Sequence, residues 1–356
     1  MNADTVADPT LHGLAEASAR LGADPLLIQA AGGNTSVKVD DTIWVKASGL
    51  WLRDALQRPL FAPVRLSEVR QRVAAGEADP VGPTLIAELA PPGLRPSIET
   101  TLHALMPHPV VLHVHAVDAI AWAVLPDAPD ALRAPLAAFR WGWVDYVRPG
   151  LPLTLAVAAL TAEREVDVLM LGNHGLVVGG ATVAEAEARL AAVGAALRRP
   201  VRRAPSADLV GLKVVAEAIG GWRLPVESRS HAVATDSLNL RRAAAGVLYP
   251  DHVVFLGDRL CVAPQAVAGD DARLRAFLGT LPAGSDRPPC VAVPGRGLLV
   301  REDLGEAAEA LLACWADVLQ RLPEGPGTPE PVYLAADEAR ALTSWEAEKF
   351  RRQLSR

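Results

Sequence analysis

Pro96-Ser97-Ile98-Glu99-Thr100-Thr101-Leu102-His103-Ala104-Leu105-Met106-Pro107-His108-Pro109-Val110-Val111-Leu112-His113-Val114-His115 sets the pattern of this chain. The stretch ends in two histidines one residue apart, inside the valine-rich apolar run 110–117, which reads as a buried strand. Side chains of a strand alternate between faces, so His113 and His115 point the same way. Two such imidazoles can chelate one ion, and neutral imidazole suits zinc and similar transition metals. A catalytic zinc site usually takes three protein ligands and leaves a fourth position open. His174, in Leu171-Gly172-Asn173-His174-Gly175-Leu176, follows a second apolar run at 166–171 and supplies the expected third ligand. His103, on an expected helix, and His108, between two prolines, read as structural residues.

Glu99 has two readings. Ser97 fits an N-cap before the pattern Leu102, Leu105, Met106, which puts Glu99 in the first helical turn, where the dipole favours an anion. Beside a bound metal a glutamate has another use: it can take a proton from a carbon acid while the metal polarises the neighbouring carbonyl.

Gly32-Gly33-Asn34-Thr35-Ser36, Ser48-Gly49, Pro96-Ser97-Ile98-Glu99, His113-Val114-His115 and Asn173-His174-Gly175 occur in this order over roughly residues 10 to 200. The ordered set resembles the class II aldolase/adducin family. The resemblance implies an α/β/α fold around a mainly antiparallel sheet. It implies a zinc-type ion on His113, His115 and His174, with manganese or cobalt as alternatives, and Glu99 as the acid/base. Sugar-phosphate aldolases of this family hold phosphate through a Gly-Asn loop, a Ser-Gly turn and a Ser-Ser pair; Asn34, Ser48, Gly49 and Ser97 match, while Ile98 replaces the second serine. In some of them a tyrosine from a neighbouring subunit assists proton transfer, and Tyr146, which otherwise reads as a core or interface aromatic, is its match. Family aldolases are often cyclic tetramers, which implies a homo-oligomer.

The chain has 356 residues, enough for two domains, here expected as a metal-binding catalytic domain at 1–200 and a smaller α/β domain at 201–356. Apolar content of 50% with 21% charged residues is that of a soluble globular protein. A net charge of −6 gives no electrostatic case for nucleic acid. The first ten residues are polar and acidic with no apolar signal segment, and no long apolar run suggests a membrane span, so a cytoplasmic location is expected. Cys261, Cys290 and Cys314 are scattered, as reduced thiols would be.

Residues 10–22 have helical spacing, and a hairpin is expected from 36–39 and 42–46, turning at Asp40-Asp41. Gly32-Gly33-Asn34 precedes it as a loop whose freed N–H groups can face an anion; Lys46 lies near this loop or is a solvated strand residue. Ser67 is expected to cap a helix to about 75, and Thr182 with Glu185 to open a long one as a capping box. The arginine-rich segment 197–206 reads as a linker. Beyond it, hairpins are expected around Gly257-Asp258 and between 289–293 and 297–301, then a helix over 303–322. The stretch 248–253, the loop 293–297 and the ending 344–350 are similar to the segment after the aldolase domain of bifunctional rhamnulose-phosphate aldolase/dehydrogenase proteins. No Gly-x-Gly-x-x-Gly follows a strand, so a nicotinamide site is not supported. Asp251, His252 and His231 could line a second site or serve capping and surface roles.

Together these readings predict a metal-dependent carbon–carbon lyase acting on a ketose or its phosphate through a metal-stabilised enediolate. A sugar-phosphate epimerase, a 3-oxo-acid decarboxylase, or a non-catalytic adducin-like binding module are the alternatives. The partner expected is a small carbohydrate, with no nucleic acid and no membrane.

Overall fold

β1 (Asn34–Val39) and β2 (Thr42–Lys46) form the hairpin expected, with Val39 opposite Thr42. Asp40 turns the chain with a φ of 50°, a left-handed conformation that Asp tolerates better than most residues. The computed structural model describes residues 9–344, which divide into two compact units: 9–123 with 127–198, and 124–126 with 199–344.

In the first unit the other strands are β3 (Phe61–Arg65), β4 (Val110–Val114), β5 (Trp141–Val144), β6 (Val168–Leu171) and β7 (Gly175–Gly180). They join in the order β3-β2-β1-β4-β7-β6-β5, all antiparallel except β5 with β6. On one face Leu102 and Met106 of the Glu99 segment and Leu153 and Val157 of the helix Leu151–Glu163 bury Val111, Leu169 and Val177. The alternate residues Val110, Leu112 and Val114 are equally buried, so the second face is covered too. The helices Pro9–Ala23, Val117–Ala123 and Val183–Leu197 pack against β1, β4 and β7 to do this. The result is the three-layer α/β/α arrangement with a mainly antiparallel sheet.

Three local expectations change. β4 ends at Val114 rather than 117, because its neighbours run out: β1 starts with Asn34 opposite His113, and Leu176 of β7 faces Val114. Ser67 is not a cap; it lies within the helix Leu66–Ala74, where its N–H and hydroxyl both donate to Asp41 at 2.8 and 2.7 Å. Ser97 is not an N-cap either. A turn over Ile98-Glu99 delays the helix to Thr100–Leu105, and Glu99 occupies the cap position without using its side chain as a cap. The Thr182 cap holds, its hydroxyl accepting from the Glu185 N–H at 3.2 Å, but the Glu185 carboxylate reaches past the cap residue to accept from the Ala181 N–H at 2.9 Å.

The second unit has a sheet of β8 (Trp222–Arg223), β9 (Cys261–Val262), β10 (Cys290–Val293) and β11 (Gly297–Arg301), in the order β8-β11-β10-β9. Leu212, Val215, Trp222, Leu274, Leu278, Val291 and Leu299 form its core. The hairpin expected around Gly257 is absent: Pro250–Leu256 is a helix, and β9 pairs parallel with β10 instead. Proline at the first helical position has its φ preset for a helix and no N–H to leave unpaired. All seven residues of that helix are buried, so no amphipathic period marks it in the sequence. The expected β10–β11 hairpin is present, as is a helix Glu306–Leu319. Of the ending 344–350, residues 345–350 lie outside the described residues. Among the described residues no helix is long and apolar enough to cross a membrane, and the cysteines are free.

Candidate metal centre

His113 stands on β4 and His115 one residue past its end, while His174 closes the turn from β6 to β7. β4 and β7 are neighbours, with His113 opposite Val177 and Val114 opposite Leu176. Asn173 holds φ 49° in the turn, and its N–H donates to the Ala123 carbonyl at 2.9 Å, which fixes where His174 begins. All three imidazoles are buried, each offering a ring nitrogen within 4.8 Å of the others, a grouping able to hold one ion.

The tautomer of His113 follows from its second nitrogen. A carbonyl can only accept, so Nδ1, 3.1 Å from the Leu176 oxygen, carries the proton and Nε2 keeps a lone pair. That Nε2 lies 3.2 Å from His115 Nε2. Tetrahedral bonding at about 2.05 Å sets ligand nitrogens roughly 3.3 Å apart, so the spacing suits a shared transition-metal ion.

Glu99 faces the same point from the turn before the helix. Its Oε1 is 3.6 Å from His113 Nε2 and 3.5 Å from His174 Nε2, too far for good hydrogen bonds, and it is buried without a donor. Oε2 accepts from the Asn34 amide at 2.7 Å. Burial raises the proton affinity of this carboxyl, while positive charge gathered at the three histidines and the Asn34 amide donor lower it. A buried carboxylate oxygen without a donor, beside convergent imidazole nitrogens, is what a cation in their midst would balance. The donor set therefore fits a divalent metal ion.

The sequence-expected anion-binding residues gather nearby. The Ser97 hydroxyl accepts from the Glu99 N–H at 3.2 Å and lies 3.4 Å from the Asn34 amide nitrogen. Ser48 donates its N–H to Arg95 at 2.8 Å, and Ala47 bridges to Pro96, so the Ser48-Gly49 turn lies beside Ser97. Gly49 has φ 77°. Asn34 spends one amide proton on Glu99, and its Oδ1 is buried without a partner. Ile98 is half-buried. Tyr146 is half-buried on the loop after β5, which packs against Gly172, two residues before His174.

Lys46 is the buried neighbour of the glycine loop and not a solvated strand residue. It is 3% exposed, and its ammonium donates to the Ala31 carbonyl at 2.8 Å and the Gly33 carbonyl at 3.1 Å. Lys46 thus ties down the glycine loop that launches Asn34, and only its place beside that loop hinted at this. His103 and His108 are structural in geometry as well. His103 Nδ1 meets the Ser36 hydroxyl at 2.7 Å, and His108 Nε2 meets Asp167 at 2.8 Å.

The family model of the class II aldolase and adducin N-terminal domain matches residues 12–199. Among curated proteins, the "Uncharacterized oxidoreductase YuxG" of Bacillus subtilis (strain 168) is 30% identical over 178 residues, covering 46% of this chain and 25% of that protein. The chain thus spans about a quarter of that relative's length. A similar solved structure is the N-terminal class II aldolase domain of a conserved Thermoplasma acidophilum protein, with 25% identity, 53% and 92% of the two chains covered and a TM-score of 0.46. The sugar-phosphate aldolase from Thermotoga maritima is 16% identical over 53% and 91%, with a TM-score of 0.42. The L-fuculose-1-phosphate aldolase from Thermus thermophilus is 17% identical over 53% and 90%, with a TM-score of 0.37.

Proposed function

The chain belongs to the class II aldolase/adducin family, and on that premise we propose that it is a metal-dependent carbon–carbon lyase cleaving a ketose or ketose phosphate. The observation that supports this reading is the buried Glu99 Oε1 set 3.5–3.6 Å from the ring nitrogens of two of the grouped histidines. His113, His115 and His174 would hold zinc, or manganese or cobalt, and such an ion when bound supplies a Lewis acid for the substrate's carbonyl and hydroxyl oxygens.

The chain's own residues do the rest. Asn34 engages Oε2 of Glu99, which leaves Oε1 as the atom that exchanges a proton with the substrate carbon. Ser48, Gly49 and Ser97, with the Asn34 loop, bind the substrate's anionic end and orient its carbon chain. Burial of the histidines and Glu99 excludes bulk water from the reacting atoms. Tyr146 assists proton transfer to the departing fragment.

Metal content by mass spectrometry, beside a ketose-phosphate cleavage assay, tests this. Wild type should carry about one ion per chain, lost in the His113→Ala, His115→Ala double variant. Glu99→Gln should keep the ion and lose about 10²- to 10⁴-fold in turnover. Full activity in that variant would remove Glu99 from the chemistry. Carbon dioxide as product, or no aldehyde, would replace the lyase with another reaction of the same enolate.

A further inference from the structure

The arginine-rich segment after residue 198 is more than a connection. Together with the short helical turn Ser228–His231 it lines a pocket of about 550 Å³ within the second unit. Arg202, Arg203, Ser206, Ser228, Arg229 and His231 all line it, and no acidic residue does. That volume is in the range of small-molecule sites.

The polar groups differ in what they have left to give. Arg202 is a strut: it pairs with Asp236 at 2.9 Å and donates to the Leu319 carbonyl at 3.1 Å. Arg229 shares its charge with Asp317 at 3.1 Å and Glu227 at 3.6 Å. Arg203 is exposed and has no hydrogen-bond or ion-pair partner among the described residues. The hydroxyls of Ser206 and Ser228 are likewise unengaged there. His231 is set as a donor: its Nδ1 accepts the Leu298 N–H at 3.0 Å, so the ring proton sits on Nε2. Burial lowers the His231 pKa, so the ring is a neutral donor and not a fixed cation. Next to it, the Ser230 hydroxyl is fully buried without a partner.

We propose that this pocket binds the phosphate group of a small phosphorylated metabolite, at a site separate from the histidine centre. The wall of the pocket carries a surplus guanidinium at Arg203, the imidazole of His231 and the unengaged hydroxyls of Ser206 and Ser228, and no carboxylate. A tetrahedral dianion with several acceptor oxygens uses such a set more fully than a planar monoanion does.

Calorimetric titration of the full chain with inorganic phosphate and with glycerol 3-phosphate tests this. Wild type should bind saturably. Arg203→Glu should weaken binding by about tenfold or more, since charge reversal places repulsion beside the anion. Asn34→Ala removes the contribution of the anion site proposed in the first unit, and a saturable binding step sensitive to Arg203→Glu should remain in that background. No binding of either probe, equal binding in Arg203→Glu, or loss of binding in Asn34→Ala alone would each overturn the proposal. Arg203 holds no other group in place, so the variant should fold. A second measurement, hydrogen exchange at 201–207, should slow on adding phosphate to wild type, and unchanged exchange would count against the site.

Discussion

Replacing Lys46 with methionine keeps a long apolar stem and deletes the ammonium. The deletion leaves two buried carbonyls, Ala31 and Gly33, short of a donor each. A buried polar group left unsatisfied costs about 1–3 kcal/mol. Relief of the cost of burying an ammonium returns part of that. The net loss should be roughly 2–4 kcal/mol, confined to the loop and the start of β1. Native-state hydrogen exchange reads such a local loss directly. Protection of the amides at 34–37 should fall by about 30- to 800-fold, at a factor of ten per 1.4 kcal/mol. The amides of β6 should keep theirs. A fall below about threefold at 34–37 would show that the lysine does not hold the loop and that its burial is incidental.

Acid should destabilise the protein before its carboxylates titrate fully. Burial pushes both His103 and His252 down to about 3, with His113 adding to the effect at His103. The unfolded chain takes up these protons near pH 6.5, which the fold resists, so the stability they contribute is complete above about 6.5 and is lost as pH falls toward 3. Each ring should add up to about 1.4 kcal/mol per pH unit to the slope of unfolding free energy in that window, and His103→Leu should flatten it; an unchanged slope in that variant would contradict the assignment. Ser36→Ala removes the partner of His103 Nδ1 and leaves both ring nitrogens unpaired in a fully buried site. It should cost about 1–3 kcal/mol in wild type and much less in a His103→Leu background, as thermal unfolding of the four proteins would show.

How far the sequence carries depends on what marks each feature. The β1–β2 hairpin and the helix capped by Thr182 were legible because their turn and cap residues stand at fixed offsets. The histidine grouping was legible from the His113-Val114-His115 spacing and one later motif, although His115 lies just past the end of the strand that carries His113. The helix Pro250–Leu256 was not, because a segment buried on every side has no polar face to reveal its period. The bond from Asn34 to Glu99 was not, since it joins groups 65 residues apart and depends on a strand register that no local pattern states. The role of Lys46 is non-local in the same way: whether its ammonium meets solvent or two carbonyls is decided by the loop above it.

Register is also what makes the site possible. Asn34 of β1 lies opposite His113, and Leu176 of β7 lies opposite Val114, so the flanking strands bring their ends to the last residues of β4. Slipping either pairing by one residue would turn side chains to the other face of the sheet and take Asn34 from Glu99 or His174 from His113. Both junctions are crowded in the same way. A side-chain carbon on Gly33, whose φ is 60°, would sit 2.7 Å from the His113 carbonyl, and one on Gly175 would sit 2.6 Å from the Val114 carbonyl. Glycine at those two points lets both neighbouring strands close onto β4 where the histidines are. The glycines that flank Asn34 and His174 in the sequence therefore act on the chemistry through packing: they permit the backbone approach that brings the two motifs to one place.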